Sequence, residues 1–246
     1  LMLLRVPVGM AMGLVGVVGY SYLVGPGPAL KLVGQTSMRT VTDYTFGVIP
    51  MFMLMGALVS VSGVSRELFK AANSMIGHLR GGLGVATVVA CGGFAAICGS
   101  SVATAATFSA VAYPEMRRFN YPQSFSTGVI AAGGTLGAIL PPSTVLAVYA
   151  ILTQQDIGKL FIAGIVPGLA LASLLGATTF YRAWRNDYPR MPKASFAERL
   201  DAFRKSIWGI LLIVIVIGGI YSGLFTPTEA AAVSAVYAFI VAVFIY

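Results

Sequence analysis

Six runs of this chain contain no Asp, Glu, Lys or Arg: residues 6–30, 44–65, 81–114, 119–155, 160–181 and 206–228, each 22 to 37 residues long. A helix rising about 1.5 Å per residue crosses a hydrocarbon layer of about 30 Å in about 20 residues, so every run is long enough to span. The expected fold class is all-α, a polytopic membrane protein. Composition agrees, with 57% hydrophobic and 10% charged residues in 246, against about 25% charged in a soluble domain.

The same runs exclude several chemistries. Cys91 and Cys98 both lie inside one of them, so they read as small apolar packing residues and not as a disulfide framework or thiolate cluster. His78 is the only histidine, which argues against a histidine metal site or a Ser-His-Asp hydrolase, and no transition metal and no catalytic residue are expected. It is placed at a membrane interface beside Arg80. An intramembrane enzyme needs a nucleophile and a base, and no His, Asp or Glu lies within reach of Ser100 or Ser101 along 81–113 or 126–152. The net charge of +8 sits in short segments between apolar runs, where it reports topology and not nucleic acid. There is no cleavable signal pattern, and a chain opening on Leu1 and stopping at Tyr246 inside an apolar run reads as a fragment of a longer protein.

Along the chain, a first apolar segment covers 6–23, with Gly13, Gly16 and Gly19 as a small-residue stripe suited to close helix contact. After a polar connection containing Lys31, Arg39 and Asp43, a second segment covers 44–64 with Pro50 in its interior, where it should kink the helix. The third, 81–113, has 33 residues, too many for one crossing and too few for two. A re-entrant hairpin that dips to mid-membrane and returns to the same face fits that length. Its midpoint, Cys98-Gly99-Ser100-Ser101-Val102-Ala103-Thr104, is the densest small polar cluster of the stretch. Non-helical backbone at that depth is tolerated only inside protein or against a water-filled cavity. If the segment returns to its own side, Arg5 and the loops 66–80, 114–124 and 182–206 share one face with 13 of the 16 basic residues; a single crossing leaves 11. The positive-inside rule therefore places the open end of the hairpin in the cytoplasm.

The fourth segment, 126–152, contains Gly133-Gly134-Thr135-Leu136-Gly137 and then Pro141-Pro142-Ser143 at what should be mid-membrane. The glycines weaken helix continuity and the prolines remove two amide donors, so an unwound break is expected. A fifth segment covers 160–181. In the charged stretch 182–206, Ser195-Phe196-Ala197-Glu198 has the form of a capping box, and Phe196, Leu200, Phe203 and Ile207 follow helical spacing. An amphipathic connecting arm on the cytoplasmic surface is expected there. Segments six (207–224) and seven (230–246) are joined by a tight turn at Pro227 that carries Glu229. Asp43, Glu115 and Asp156, at the expected membrane edges, are assigned to surface pairing with nearby basic residues.

A tip of Gly, Ser and Thr facing a helix broken at Gly and Pro is the layout secondary transporters use for substrate and cation sites. Half-helices direct amide N-termini at anions, while unwound carbonyls and hydroxyls coordinate Na⁺. Neither segment contains a carboxylate for a proton relay within its uncharged run, so the residues lean toward sodium coupling. Taken alone, Ser100 or Thr104 reads as a packing residue. Length, charge count and the polar cluster nevertheless select the same segment.

Several motifs resemble one family. Gly99-Ser100-Ser101-Val102-Ala103-Thr104-Ala105-Ala106 followed by Pro114-Glu115-Met116, then Gly133-Gly134-Thr135-Leu136-Gly137 to Pro141-Pro142-Ser143, then the block from Ile157 through Phe161 and Gly164 to Pro167-Gly168, are similar to the large permease subunit (DctM type) of tripartite ATP-independent periplasmic (TRAP) transporters. Ile49-Pro50-Met51-Phe52 and Thr226-Pro227-Thr228-Glu229-Ala230-Ala231-Ala232 match the same pattern. The resemblance implies the first inverted repeat of an elevator-type transporter in a bacterial inner membrane. It also implies a sodium site at Ser100, Ser101, Thr104, Gly133 and Gly137, and a substrate cleft walled by Gly99, Gly134, Thr135, Pro141, Pro142 and Ser143. The implied cargo is an organic carboxylate of the C4-dicarboxylate kind. The implied partners are a small four-helix membrane subunit, a periplasmic substrate-binding protein and the lipid bilayer, with no nucleic acid and no cofactor beyond Na⁺ as coupling ion.

The expected organisation is scaffold-type helices over 1–65 and a transport-domain half over 66–152, holding the hairpin (81–113) and the broken helix (126–152). A membrane helix plus arm follows over 153–206, and helices over 207–246 lead into a second half. The alternatives are an elevator-type anion carrier that needs no binding protein, and an inactive membrane fragment.

Overall fold

The computed structural model describes residues 6–246, so Arg5, counted above on the cytoplasmic face, lies outside the described residues. All regular structure among them is helical. Packing separates a unit ending at Phe46 from a unit running from Gly47 to Tyr246.

The first unit holds α1 (Val8–Val24) and α2 (Pro26–Thr42). α2 occupies the stretch read from its charges as a polar connection. Ala29, Leu32, Val33, Thr36 and Ser37 recur at helical spacing and face Gly13, Gly16, Val17 and Tyr20 of α1 across a groove of about 450 Å³. The glycine stripe makes no close helix contact, because the groove stays open: no heavy atom lies within 4 Å of a Cβ placed at Gly13, Gly16 or Gly19.

A 3₁₀ turn, Tyr44–Gly47, precedes α3 (Val48–Ser62), the first helix of the second unit. Pro50 therefore falls in the first turn and not in a helix interior, where the donor it lacks would have had no intrahelical partner. The expected kink is replaced by a 3₁₀-to-α junction. α4 (Val64–Ile76) fills most of the loop assigned to 66–80. Val64, Leu68, Phe69 and Ala72 form its buried side, while Glu67 and Lys70 pair at 2.8 Å on the other. The charges concealed the apolar spacing.

α5 (Gly82–Cys98) and α6 (Ser101–Arg118) form a helical hairpin. Two contacts at different heights establish that they run side by side: Phe94 meets Phe108 edge-on at 5.7 Å, and the Thr87 hydroxyl lies 3.8 Å from the Met116 sulfur. With 13 of its 17 residues buried, α5 is the core of the unit and not a lipid-facing helix. α6 continues past Tyr113 to Arg118, where Arg118 pairs with Glu115 at 3.7 Å.

α7 (Gln123–Gly134), a 3₁₀ turn at Thr135–Ala138, five irregular residues and α8 (Thr144–Leu152) make up the broken helix. α9 (Ile157–Arg185) follows, and Asp156 caps it by accepting the Lys159 amide at 2.9 Å. Asp43 likewise accepts the Thr45 amide at 2.8 Å. Both carboxylates satisfy orphan donors instead of pairing with a cation as expected, since an amide one turn away needs less chain ordering than a long side chain.

The expected capping box is present: Ser195 and Glu198 exchange hydrogen bonds at the start of α10 (Phe196–Ile213). The arm and the sixth apolar segment are not separate elements, because α10 continues through a π turn, Val214–Gly218, into α11 (Gly219–Tyr221). Nothing between Lys205 and Ile213 breaks a helix except Gly209, which is held against Val64 of α4, 2.6 Å from its would-be Cβ. The turn expected at Pro227 is the first residue of α12 (Pro227–Phe244), capped reciprocally by Thr226 and Glu229. Among the described residues, four helical stretches are long and apolar enough to cross a membrane: Tyr44–Ser62, Ile157–Arg185, Phe196–Tyr221 and Pro227–Phe244.

Residues 187–194, between α9 and α10, strap the open end of the hairpin. The Met191 amide donates to the Gly77 carbonyl at 3.2 Å, and Arg80 pairs with Asp187 at 3.6 Å. Tyr188 packs edge-on against Tyr121 and Phe125 at 5.4 and 4.9 Å, and the Tyr121 hydroxyl donates to the Pro189 carbonyl at 3.0 Å. Burial pushes the Tyr121 phenol up to about 12, so it remains a donor at any physiological pH. The strap thus ties α9 to both the hairpin and the start of the broken helix.

Candidate functional site at the hairpin tip

Gly99 turns the chain from α5 into α6 at φ +63°, a conformation costly for residues with a Cβ. A side chain there would also strike the Pro142 carbonyl oxygen of the break. The close approach is held by Thr144, whose amide and hydroxyl both donate to the Gly99 carbonyl, at 3.2 and 3.0 Å. Gly137 faces the tip from the 3₁₀ turn: a Cβ on it would stand 2.7 Å from the Ser100 carbonyl carbon and 2.9 Å from the Ser101 nitrogen. Gly134 sits one turn earlier, its would-be Cβ 2.8 Å from that of Ala105 and 3.1 Å from the Ser101 carbonyl. Gly56 of α3 closes the site from behind, 3.0 Å by the same measure from the Cys98 carbonyl.

This crossing brings two helix N-termini together. Ser100 caps α6 and Ser143 caps α8, each in extended backbone, accepting the Ala103 amide at 3.4 Å and the Leu146 amide at 3.3 Å. Ser100 and Ser143 also take back the Thr104 and Ala147 amides through their carbonyls, each at 3.0 Å. The amides of Ser101, Val102 and Val145 are then left without a partner among the described residues. First-turn amides have no intrahelical acceptor, and two neighbouring helix N-termini each contribute partial positive charge. Such an arrangement accepts an anion.

Of the residues selected from sequence, Gly99, Ser100, Ser101, Gly134, Gly137, Pro142 and Ser143 meet at this crossing. Thr104 is fully buried there, but its hydroxyl donates to the Ser100 carbonyl at 2.8 Å and braces the tip. The Ser143 hydroxyl similarly donates to the Ala138 carbonyl at 2.7 Å across the break. Ser101 keeps a half-buried hydroxyl with no partner among the described residues. Three expected positions lie elsewhere. Gly133 packs on Cys91, whose sulfur would lie 3.0 Å from a Cβ placed on it; the exposed Thr135 donates to its own helix at Ala132, 2.6 Å; and Pro141 lines an apolar groove with Gly92, Ala96 and Ile165. Thr144 and Gly56 were missed. A Thr following the Pro-Pro-Ser break is a signal that was available for the first; Gly56 has none, since its role depends on a neighbour 42 residues away.

The family described as "Tripartite ATP-independent periplasmic transporter, DctM component" matches residues 1–246. The C4-dicarboxylate TRAP transporter large permease protein DctM of Pseudomonas aeruginosa is 50% identical over 85% of this chain and 49% of its own length. The proteins of the same description from Rhodobacter capsulatus and Vibrio cholerae are 42% and 40% identical over the whole chain, covering 59% and 54% of theirs. The chain thus spans about half the length of the curated relatives it matches. These relatives are permease subunits of transporters and not enzymes, and the several apolar helices agree with a multi-pass membrane protein. On this similarity, extended over its full length, the chain belongs to the DctM component family of tripartite ATP-independent periplasmic transporters.

Proposed function

We propose that this chain forms the first repeat of a sodium-coupled permease subunit that imports organic acids across a bacterial inner membrane. The observation that carries the reading is the meeting of the α6 and α8 N-termini, with three amides unpartnered among the described residues, at a tip that carries no Asp, Glu, His, Lys or Arg. A carboxylate of the substrate pairs with those amides. Na⁺ takes the Ser101 hydroxyl together with carbonyl oxygens of Gly134 and Gly137, the two glycines of the break that meet the tip, because a hard cation prefers neutral oxygen where the substrate supplies the negative charge. The carboxylate is of the C4-dicarboxylate kind, by likeness to the three relatives. A small four-helix membrane subunit and a periplasmic binding protein complete the transporter. The hairpin is re-entrant, and hairpin and broken helix move together as part of an elevator.

The test is uptake of labelled C4-dicarboxylate into proteoliposomes holding the full-length protein and the small subunit. Uptake is expected only when the binding protein is present outside. Equal uptake without it favours a carrier that needs no binding protein, and none under any condition sinks the assignment.

The re-entrant path makes a separate prediction. Leu79 precedes the hairpin and Asn120 follows it, and both are exposed. With cysteine at each position in otherwise cysteine-free protein, a thiol reagent that cannot cross lipid should label both from the cytoplasmic side. Labels on opposite faces would refute the hairpin's return.

A further inference from the structure

The structure assigns a second, lipid-binding site, remote from the hairpin tip: we infer that the groove between α7 and α9 holds a membrane glycerophospholipid, its phosphate on Arg182. The groove has a volume of about 240 Å³ and is lined by Ser124, Phe125, Gly128, Val129, Ala132, Leu175, Thr178, Thr179 and Arg182. Its polarity is graded along its length. Ser124, in the first turn of α7, and Arg182, in the last turn of α9, stand at the end of the bundle that carries the basic segments. Gly128, Val129, Ala132 and Leu175 continue inward without a polar side chain. Eight residues of α7 separate Ser124 from Ala132, about 12 Å at 1.5 Å per residue. That is the length of a glycerol phosphate followed by the first several methylenes of an acyl chain.

Two side chains are set for such a ligand. Arg182 is exposed, and its guanidinium pairs with no carboxylate among the described residues. A planar guanidinium matches two phosphate oxygens at once. Thr179 is 7% exposed, and its methyl faces Gly84 of α5, 2.9 Å from that residue's would-be Cβ. Its hydroxyl has no hydrogen-bond partner among the described residues. The Leu175 carbonyl one turn back, its usual acceptor, already takes the Thr178 hydroxyl at 3.0 Å. A threonine this buried that lines a groove ending at an arginine, with its hydroxyl unpartnered among the described residues, suits an ester or phosphate oxygen of a lipid. Gly128 keeps the floor clear, with no atom within 4 Å of a Cβ placed on it. An apolar peptide or a second copy of the chain would leave both Arg182 and Thr179 unanswered, which decides for the phospholipid.

Native mass spectrometry of the full-length protein, presented with equal amounts of phosphatidylglycerol and the diacylglycerol bearing the same chains, tests the assignment. The phospholipid should be preferred by about tenfold, the worth of one charge-assisted hydrogen-bonded pair. R182Q should abolish the preference while leaving diacylglycerol binding unchanged, T179V should reduce it, and G128L should lower binding of both lipids. Lys193→Gln, a basic position outside the groove, should change nothing. Equal binding of the two lipids by the native protein would overturn the assignment, as would a loss in K193Q matching that in R182Q. Displacement of the lipid by free glycerol phosphate at equal concentration would also overturn it.

Discussion

Gly137→Ala is expected to cut substrate uptake by the full-length transporter roughly tenfold to a hundredfold, although it adds a single methyl group. That methyl would meet the Ser100 carbonyl carbon and oxygen and the Ser101 nitrogen at 2.7 to 2.9 Å. All three are backbone atoms at the N-terminus of α6, so no side-chain rotation relieves the overlap, and the tip and the break must separate. Overpacking of this kind costs about 1 to 3 kcal/mol, which converts to the stated range in affinity at about 1.4 kcal/mol per tenfold. The matched control is Gly93→Ala on α5, where nothing lies within 4 Å of the added carbon. Alanine is about 1 kcal/mol better than glycine in a helix interior, so this variant should be as stable as the native protein or slightly more so, and should transport normally. Opposite signs from the same chemical change, read by uptake and by thermal unfolding, isolate the crossing from general glycine effects. Normal uptake by the Gly137 variant would mean that the tip and break are not the transport site.

What was legible in the sequence follows from the range over which each signal acts. The hairpin and the break announce themselves locally: Gly99 and the Ser-Ser pair interrupt a charge-free run, and three glycines with two prolines cannot sustain a continuous helix. Capping at Ser195 is equally local and was read correctly. The charges of Arg66, Glu67 and Lys70 give α4 the look of a loop, although Val64, Leu68, Phe69 and Ala72 trace a helical face beneath them. Thr135 and Thr144 show the limit most clearly. Both are threonines beside the break, yet one bonds its own helix and the other reaches the Gly99 carbonyl 45 residues away. The difference is one of position: Thr135 follows directly on α7 and has the Ala132 carbonyl one turn back, whereas Thr144 opens α8 with no earlier turn of its own helix to bond, and which distant carbonyl it then finds is set by the fold. The small residues that let the two elements cross matter for a related reason. Lipid tails are as apolar as the side chains they would replace, so fit and satisfied backbone groups, more than burial, hold membrane helices together.

Replacing Na⁺ by K⁺ at constant ionic strength is expected to lower uptake by more than tenfold, with the residual rate unchanged between pH 6 and 8. α5, α7 and α8 contain no Asp, Glu or His, and the one acidic residue of α6, Glu115, lies about 22 Å from Ser100 along a helix rising 1.5 Å per residue. No carboxylate or imidazole at the crossing therefore exchanges a proton with the substrate, and the dianionic cargo proposed above must be compensated by other means. Each helix N-terminus contributes about half a unit of positive charge, so the two together leave about one negative charge of a dicarboxylate uncompensated. In the proposed reading a monovalent cation on hydroxyl and carbonyl oxygens removes that remainder, and the expected loss in K⁺ is the check on it. The decisive comparison is uptake driven by a sodium gradient against uptake driven by a proton gradient in sodium-free medium. If the proton gradient alone drives accumulation, and a protonophore abolishes it, coupling does not reside at this neutral crossing, and the oxygens of Ser101, Gly134 and Gly137 shape the cleft without binding the driving ion.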